Sequence, residues 1–423
     1  MKFHWFHLMP YPDLPDDFKQ QHRSVWVDLP ASEVYDRRRG NEIYNEYLDE
    51  LEFAADAGFD GICVNEHHQN AYGLMPSPNL MAASLARRTR DTKLVIMGNS
   101  VALYNPPLRV AEEMAMIDAI SGGRVVAGFP VGSTMDTTYC YGVNPATLRE
   151  RYREALDLIL KAWRADQPFA FNGKYTQLRY VNCWPRPVQE PHPPIWIPGG
   201  GSVETWDVCA ENDFLYAYLS YFGYKWARDN VRGYWDVIEK AGKAPNPYRM
   251  GFIQFVGVAD TDEEAERLYG DAALYFYNRC LHVHPGFGVA PGYSSIKTIR
   301  KGVRSMAATA ASQKEFSALT WKDIVDRGYM VAGSVDTVVE QLNAMADELN
   351  VGHLMTLLQF GNMNRETVNY NTTKFAQEVI PRLRHKFDDW EDHWWPTGSL
   401  SDAARPAPVA PAVSAPAAAV AGS

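Results

Sequence analysis

Short apolar runs alternate with longer amphipathic stretches along almost the whole 423-residue chain. Residues 2–8, 59–64, 93–99, 125–129, 194–198, 214–219, 250–258 and 353–359 are each a nearly continuous run of apolar or β-branched side chains. That is the signature of parallel strands covered on both faces, not of strands with one wet side. Helical spacing appears between them, near residues 41–57, 79–88, 108–120, 148–164, 203–212, 225–240, 263–280 and 337–349, with a last helix near 366–386. Eight strands each followed by a helix predict an α/β fold, a single (β/α)8 TIM barrel with insertions. A doubly wound open sheet shares the local pattern and stays as the alternative. Against it, no Gly-x-Gly-x-x-Gly fingerprint follows the first strand.

Four stretches interrupt the alternation. Residues 10–40 form a long mixed-charge segment, and residues 171–194 hold a Gly-Lys-Tyr turn and many prolines. Residues 282–326 are rich in Gly, Ser and basic side chains and are expected to form a lid. Residues 397–423 are mostly Ala, Pro, Val and Ser, with almost no charge. Such a composition cannot build a core, so a disordered C-terminal tail is expected after a barrel domain spanning residues 1–396.

A net charge of −10 argues against nucleic-acid binding, which needs a basic face. The five cysteines are scattered and lack metal or redox spacing, so free thiols in a reducing compartment are expected. No apolar run approaches a membrane span, and Met1 to Pro10 is too short and polar for a secretory h-region. The expectation is a cytoplasmic protein with no membrane partner. His282-x-His284 has the look of a metal pair but lacks a carboxylate partner. It is read as structural or solvent-facing, with no metal.

The more specific signals follow the strands. After the second come Glu66-His67-His68, then Gly73, Pro76, Asn79 and Ala82. After the third comes Asn105-Pro106-Pro107-Leu108-Arg109, followed by Asp118 and then Ser121-Gly122-Gly123-Arg124. Farther on stand Trp184-Pro185-Arg186-Pro187, Pro193-Pro194-Ile195-Trp196, Gly199-Gly200-Gly201-Ser202 and Gly333-Ser334. In this order and spacing, from about Met1 to Lys386, the chain resembles the bacterial-luciferase-like flavin-dependent monooxygenases.

The physical chemistry of these positions is compatible with that resemblance. A side chain at the C-terminal end of a barrel strand points into the common mouth. Imidazole titrates near neutrality and can give and retake a proton there. The alternative for either histidine is a packed, hydrogen-bonded core residue. The run Gly199-Gly200-Gly201-Ser202 follows a strand and opens a helix, where exposed N–H groups bind phosphate. A tight turn without a ligand is the rival reading. Tyr139, Tyr141, Tyr216, Tyr218, Tyr221, Phe222 and Tyr224 crowd the expected mouth as a candidate aromatic-lined substrate pocket.

The resemblance implies more than the residues alone. It implies reduced FMN as cofactor, delivered by a separate NAD(P)H-flavin reductase, with dioxygen as co-substrate. It implies oxygenation of a small apolar or aromatic organic substrate through a flavin 4a-hydroperoxide, by a homo-oligomeric enzyme. His67 would be the catalytic histidine. Glu66, Gly98, Asn99, Val131, Gly132, Ser133, Gly199, Gly200, Gly201 and Ser202 would surround the cofactor. His68, Tyr139, Tyr141, Tyr218 and Tyr221 would face the substrate. It also implies a non-prolyl cis peptide at Gly98–Asn99. Relatives carry a phosphate-binding arginine where this chain has Val131, which leaves the phosphate without its expected cation. The rival functions are deazaflavin-dependent hydride transfer on the same scaffold, a non-catalytic flavin-binding subunit, and a metal-dependent barrel hydrolase. The last lacks a His-x-His at the end of strand one.

Overall fold

The computed structural model describes residues 1–288, 290–296, 298–300, 319–397 and 400. Eleven strands are formed among them: β1 (Lys2–Phe6), β2 (Gly61–Val64), β3 (Lys93–Ile96), β4 (Val125–Gly128), β5 (Phe169–Asn172), β6 (Gln177–Val181), β7 (Ile195–Gly199), β8 (Leu215–Tyr218), β9 (Met250–Ala259), β10 (Met330–Ser334) and β11 (His353–Leu357). Eight of these close a parallel barrel in the order β1-β2-β3-β4-β7-β8-β9-β11 and back to β1. Strand closure is direct, with Tyr216 opposite Met250 and Lys2 opposite His353. The sequence expectation of a TIM barrel holds, and the strands fall on the eight apolar runs.

Two features lay outside the sequence reading. The first is β10, a ninth parallel strand beside the outer half of β9, with Met330 opposite Phe255 and Ser334 opposite Ala259. Five residues of mostly small apolar side chains next to an insertion give too little periodicity to separate strand from loop. The second is the antiparallel hairpin β5–β6, placed where residues 171–194 interrupt the alternation.

The helices bury one stripe each. In Leu148–Arg164 the side chains of Leu148, Tyr152, Ala155, Ile159 and Trp163 are buried at three- and four-residue spacing, and the Trp163 indole donates to the Ala111 carbonyl at 3.0 Å. The Ser121-Gly122-Gly123-Arg124 motif is structural. Arg124 is fully buried, and its guanidinium donates to the carbonyls of Ala86, Thr89, Thr92 and Ser121, thereby tying the end of the helix Pro78–Arg88 to β3 and β4. Asp118 likewise receives the N–H groups of Val125, Val188 and Gln189.

The barrel has a closed bottom. His4, Trp196, His353 and Trp395 pack ring on ring there, with His4 Nε2 3.0 Å from His353 Nδ1. Asp392 reaches Lys2 Nζ at 2.5 Å and lies 3.3 Å from His353 Nε2. Near the bottom, the Leu400 N–H donates to the Gly122 carbonyl at 2.8 Å. Most of the expected tail, residues 401–423, and residues 301–318 of the expected lid lie outside the described residues. None of the described helices is long and apolar enough to cross a membrane.

Candidate active site

A cavity of about 260 Å³ opens at the C-terminal ends of the barrel strands. It gathers Asn65, Glu66 and His67 after β2, Met97 and Ser100 after β3, and Pro130, Val131, Gly132, Ser133 and Asp136 after β4. Pro198, Gly199, Gly200, Ser202 and Thr205 come from β7 and its helix, Leu219 and Tyr221 from the end of β8, and Tyr293 from the late insertion. Segments more than two hundred residues apart meet here because parallel strands all end at the same face.

The centre of the site is a buried carboxylate that the sequence reading missed. Asp136 Oδ2 accepts from His67 Nδ1 at 3.0 Å and from the Ser133 hydroxyl at 2.8 Å. Its Oδ1 accepts from the His68 N–H at 2.8 Å and from the Trp26 indole at 3.1 Å. Burial pushes the Asp136 carboxyl up, but the neighbouring His67 ring and these hydrogen bonds outweigh it and hold the group below its ordinary range. Since an ionised carboxylate only accepts, His67 carries a proton on Nδ1 and keeps Nε2 for other partners. Trp26 and Tyr72 meet the His67 ring edge-on at 5.2 and 4.9 Å, which fixes its plane.

A second group of hydrogen bonds lies beside the first. Glu66 accepts from His68 Nε2 at 2.9 Å, from the Tyr104 hydroxyl at 2.7 Å and from Asn99 Nδ2 at 3.3 Å. Tyr141 lies with its hydroxyl 3.2 Å from His68 Nδ1. Burial first, then the Glu66 carboxylate, pushes the Tyr104 phenol up, so it remains a donor. Glu66, His68, Tyr104, Arg109, Glu113 and Tyr141 line a separate outer cavity of about 350 Å³.

A cation lines the same cavity from a place that no motif signals. Arg149, in the first turn of the helix Leu148–Arg164, lines the cavity together with Gly200, Ser202 and Thr205. Its Nε approaches the Tyr293 carbonyl at 3.4 Å, and its guanidinium lies over the Tyr293 ring, 5.6 Å from the centroid. A positive charge at a helix start opposes the helix dipole, and that local misfit is a sequence signal that could have nominated Arg149. Gly201 has φ +106°, a backbone that favours glycine, while Gly200 faces open space with only the Leu219 carbonyl near a would-be Cβ, at 3.7 Å.

The profile of the luciferase-like monooxygenases matches residues 25–351. The chain belongs to this family. Among its relatives, an uncharacterised protein of Sinorhizobium fredii is 36% identical over 161 residues, 37% of this chain and 46% of that protein. The oxygenase component of the flavin-dependent trigonelline monooxygenase of Acinetobacter baylyi is 31% identical over 166 residues, 39% of this chain and 45% of that protein. The matches with these relatives thus span about half of their length. In three dimensions the oxygenating constituent of the 3,6-diketocamphane monooxygenase of Pseudomonas putida, solved with FMN, superposes with a TM-score of 0.68 at 20% identity. That alignment covers 90% of this chain and 98% of the other, and at this identity it speaks for the fold.

Not every residue expected from the luciferase-like resemblance lines the inner cavity. Glu66, His67, Val131, Gly132, Ser133, Gly199, Gly200, Ser202 and Tyr221 do. Gly98 instead lets β3 and β4 approach, because a Cβ there would fall 1.8 Å from the Gly128 carbonyl oxygen. Asn99 supports Glu66 and Tyr104. Their peptide bond is trans, correcting the expectation, and the Asn99 N–H donates to the Gly128 carbonyl at 3.0 Å. His68 and Tyr141 belong to the outer cavity. Tyr218 is buried against Phe252 with its hydroxyl on Asn230, and Tyr139 is exposed with its hydroxyl on the Gly286 carbonyl. Gly201 is a backbone turn beside Asn230. His282 donates to the His22 carbonyl at 2.9 Å and packs on Phe18.

Proposed function

We propose that this chain is the oxygenase component of a two-component flavin-dependent monooxygenase. It takes reduced FMN from a separate NAD(P)H-flavin reductase, together with dioxygen, and oxygenates a small apolar or aromatic organic substrate. The observation that carries this reading is one cavity holding both an anion cradle and a carboxylate-oriented histidine. The cradle is Arg149 with the Gly200–Ser202 helix start and the Thr205 side chain. The histidine is His67 on Asp136.

The residues present fit FMN. A phosphate carries up to two charges and needs a cation or several donors when buried, and Arg149 and the N–H groups after Gly200 supply them. Met97, Pro130, Pro198, Leu219 and Tyr221 give apolar walls for a ring system. When bound, reduced FMN would supply the reactivity toward dioxygen and the oxygen atom that is transferred. The protein orients the ring, excludes water with Tyr221 and Tyr293, and holds a proton acceptor and donor at His67 Nε2, whose plane Trp26 and Tyr72 fix. The names of the trigonelline and diketocamphane relatives support a flavin and a small organic substrate.

The test is anaerobic titration with reduced FMN followed by an oxygen pulse. A long-lived species absorbing as a flavin hydroperoxide is the expected result. Binding of reduced deazaflavin in place of reduced FMN, without an oxygen reaction, would establish hydride transfer instead.

A further inference from the structure

The two histidines of the Glu66-His67-His68 run are held by different carboxylates, and only one of them is part of the inner cavity. His67 turns to Asp136, whereas His68 turns to Glu66 and lines the outer cavity. The Glu66 carboxylate is buried, with 1% of its side chain exposed, and His68 at 6% is its one ion-pair partner among the described residues. A buried carboxylate needs hydrogen-bond partners, and His68 Nε2, the Tyr104 hydroxyl and Asn99 Nδ2 supply them. From His68 Nδ1 the next group outward is the Tyr141 hydroxyl, whose residue is 49% exposed. Glu66 in turn lines both cavities.

We propose that Tyr141, His68 and Glu66 form a proton wire between the outer cavity and the inner one, separate from the His67–Asp136 pair. The proposal rests on the oxygenase reading given above. Donor and acceptor order is consistent along the whole path. The Tyr141 O–H donates to His68 Nδ1, and His68 Nε2–H donates to Glu66 Oε1. One proton enters at Tyr141 as its O–H bond breaks and an Nδ1–H bond forms. His68 Nε2–H passes its proton to Glu66, which hands one on to an acceptor in the inner cavity; Tyr141 regains its proton from solvent, and His68 returns to its Nε2–H tautomer by exchanging its ring protons with water of the outer cavity. No electrons move. Tyr104 and Asn99 hold the other Glu66 oxygen in place.

The charged and titratable surroundings are few. Tyr104 faces Glu66 from the segment after β3, and the ion pair Arg109–Glu113 lies across the outer cavity. Asp136 binds the His68 N–H, with His67 on its far oxygen, and Cys140 Sγ donates to the His68 carbonyl at 3.4 Å.

The experiment replaces the ring by a diffusible one. His68→Gly leaves a gap in a solvent-open cavity that imidazole can enter. Two readouts are taken. In flavin-free protein, nitrogen NMR of wild type should show His68 protonated on Nε2, and Glu66→Gln should abolish that preference. With reduced FMN and oxygen, His68→Gly is expected to slow the proton-coupled phase about 100-fold, with recovery in imidazole, because general acid–base groups contribute on that order. Tyr141→Phe, a milder variant that keeps the ring, should lower the same phase and shift its pH profile and solvent isotope effect. No rescue by imidazole together with an unchanged Tyr141→Phe pH profile overturns the wire. A wild-type protein that shows the Nε2 tautomer but no oxygen reaction overturns the oxygenase reading and leaves the hydrogen-bond order intact.

Discussion

His67 Nδ1 lies 3.0 Å from Asp136 Oδ2, so the residue after β2 that faces the cavity is oriented by a residue after β4. The contact spans 69 positions in sequence and is reinforced by Trp26, from a third segment. It defines which ring nitrogen is available for chemistry and makes Asp136 a positioning residue.

Asp136→Asn is therefore expected to lower turnover by roughly 100-fold while reduced FMN still binds, since proton control and not cofactor affinity is lost. Removing the charge also leaves buried donors poorly matched, at a cost of about 1–3 kcal/mol in stability. Turnover, flavin titration and urea denaturation on the same preparation separate these effects. His67→Asn should match it in turnover yet cost little stability, because that ring is partly exposed to the cavity. Full activity in either variant would remove the dyad from the mechanism.

Arg149→Met should weaken reduced FMN by roughly 10- to 150-fold, the range for a charge-assisted contact of about 1.5–3 kcal/mol. Riboflavin, which lacks the phosphate, should bind the variant and the wild type alike. Gly200→Val should weaken both ligands, because its side chain would enter the cavity that Gly200 lines. Comparing the two ligands by titration decides whether Arg149 and the helix start form the phosphate cradle.

Acid stability should reflect the barrel bottom. Burial lowers the His4 and His353 imidazoles below their ordinary value of 6.5, so the folded state binds fewer protons than the unfolded one. Stability contributed in this way is present above pH 6.5 and lost as the pH falls below it, at up to about 1.4 kcal/mol per unit for each ring. The Asp392 carboxyl is raised by burial but held low by His353 and Lys2, which adds a loss below its ordinary 3.8. Urea midpoints from pH 8 to 5 should drop for wild type and drop less for His4→Gln.

The C-terminal segment should divide sharply at Leu400. Deleting residues 401–423 is expected to change stability by no more than about 0.5 kcal/mol, since that composition buries little apolar surface. Deletion from Glu391 should cost several kcal/mol. It removes Trp395 from the ring cluster, the Trp394 carbonyl from the Trp196 indole and Asp392 from Lys2. Thermal melts of the two truncations read the difference directly.

The amino-acid sequence by itself determined the barrel. Eight apolar runs mark eight covered strands because a parallel strand buried on both faces leaves that composition, and the helix Leu148–Arg164 is legible in its stripe from Leu148 to Trp163. The strand-end rule likewise places His67, Gly200 and Ser202 at the mouth. Only the tertiary structure decided which neighbours complete them. Asp136, Trp26, Tyr104 and Arg149 have no spacing that ties them to the Glu66-His67-His68 run, since barrel closure brings them together through space. It also decided against Gly98, Tyr139 and Tyr218 as cavity residues. Residue type can nominate an aromatic or a glycine, but the path of the backbone decides what it faces; on a strand such as β8, a shift of one position turns a side chain from the barrel interior to the outer helices.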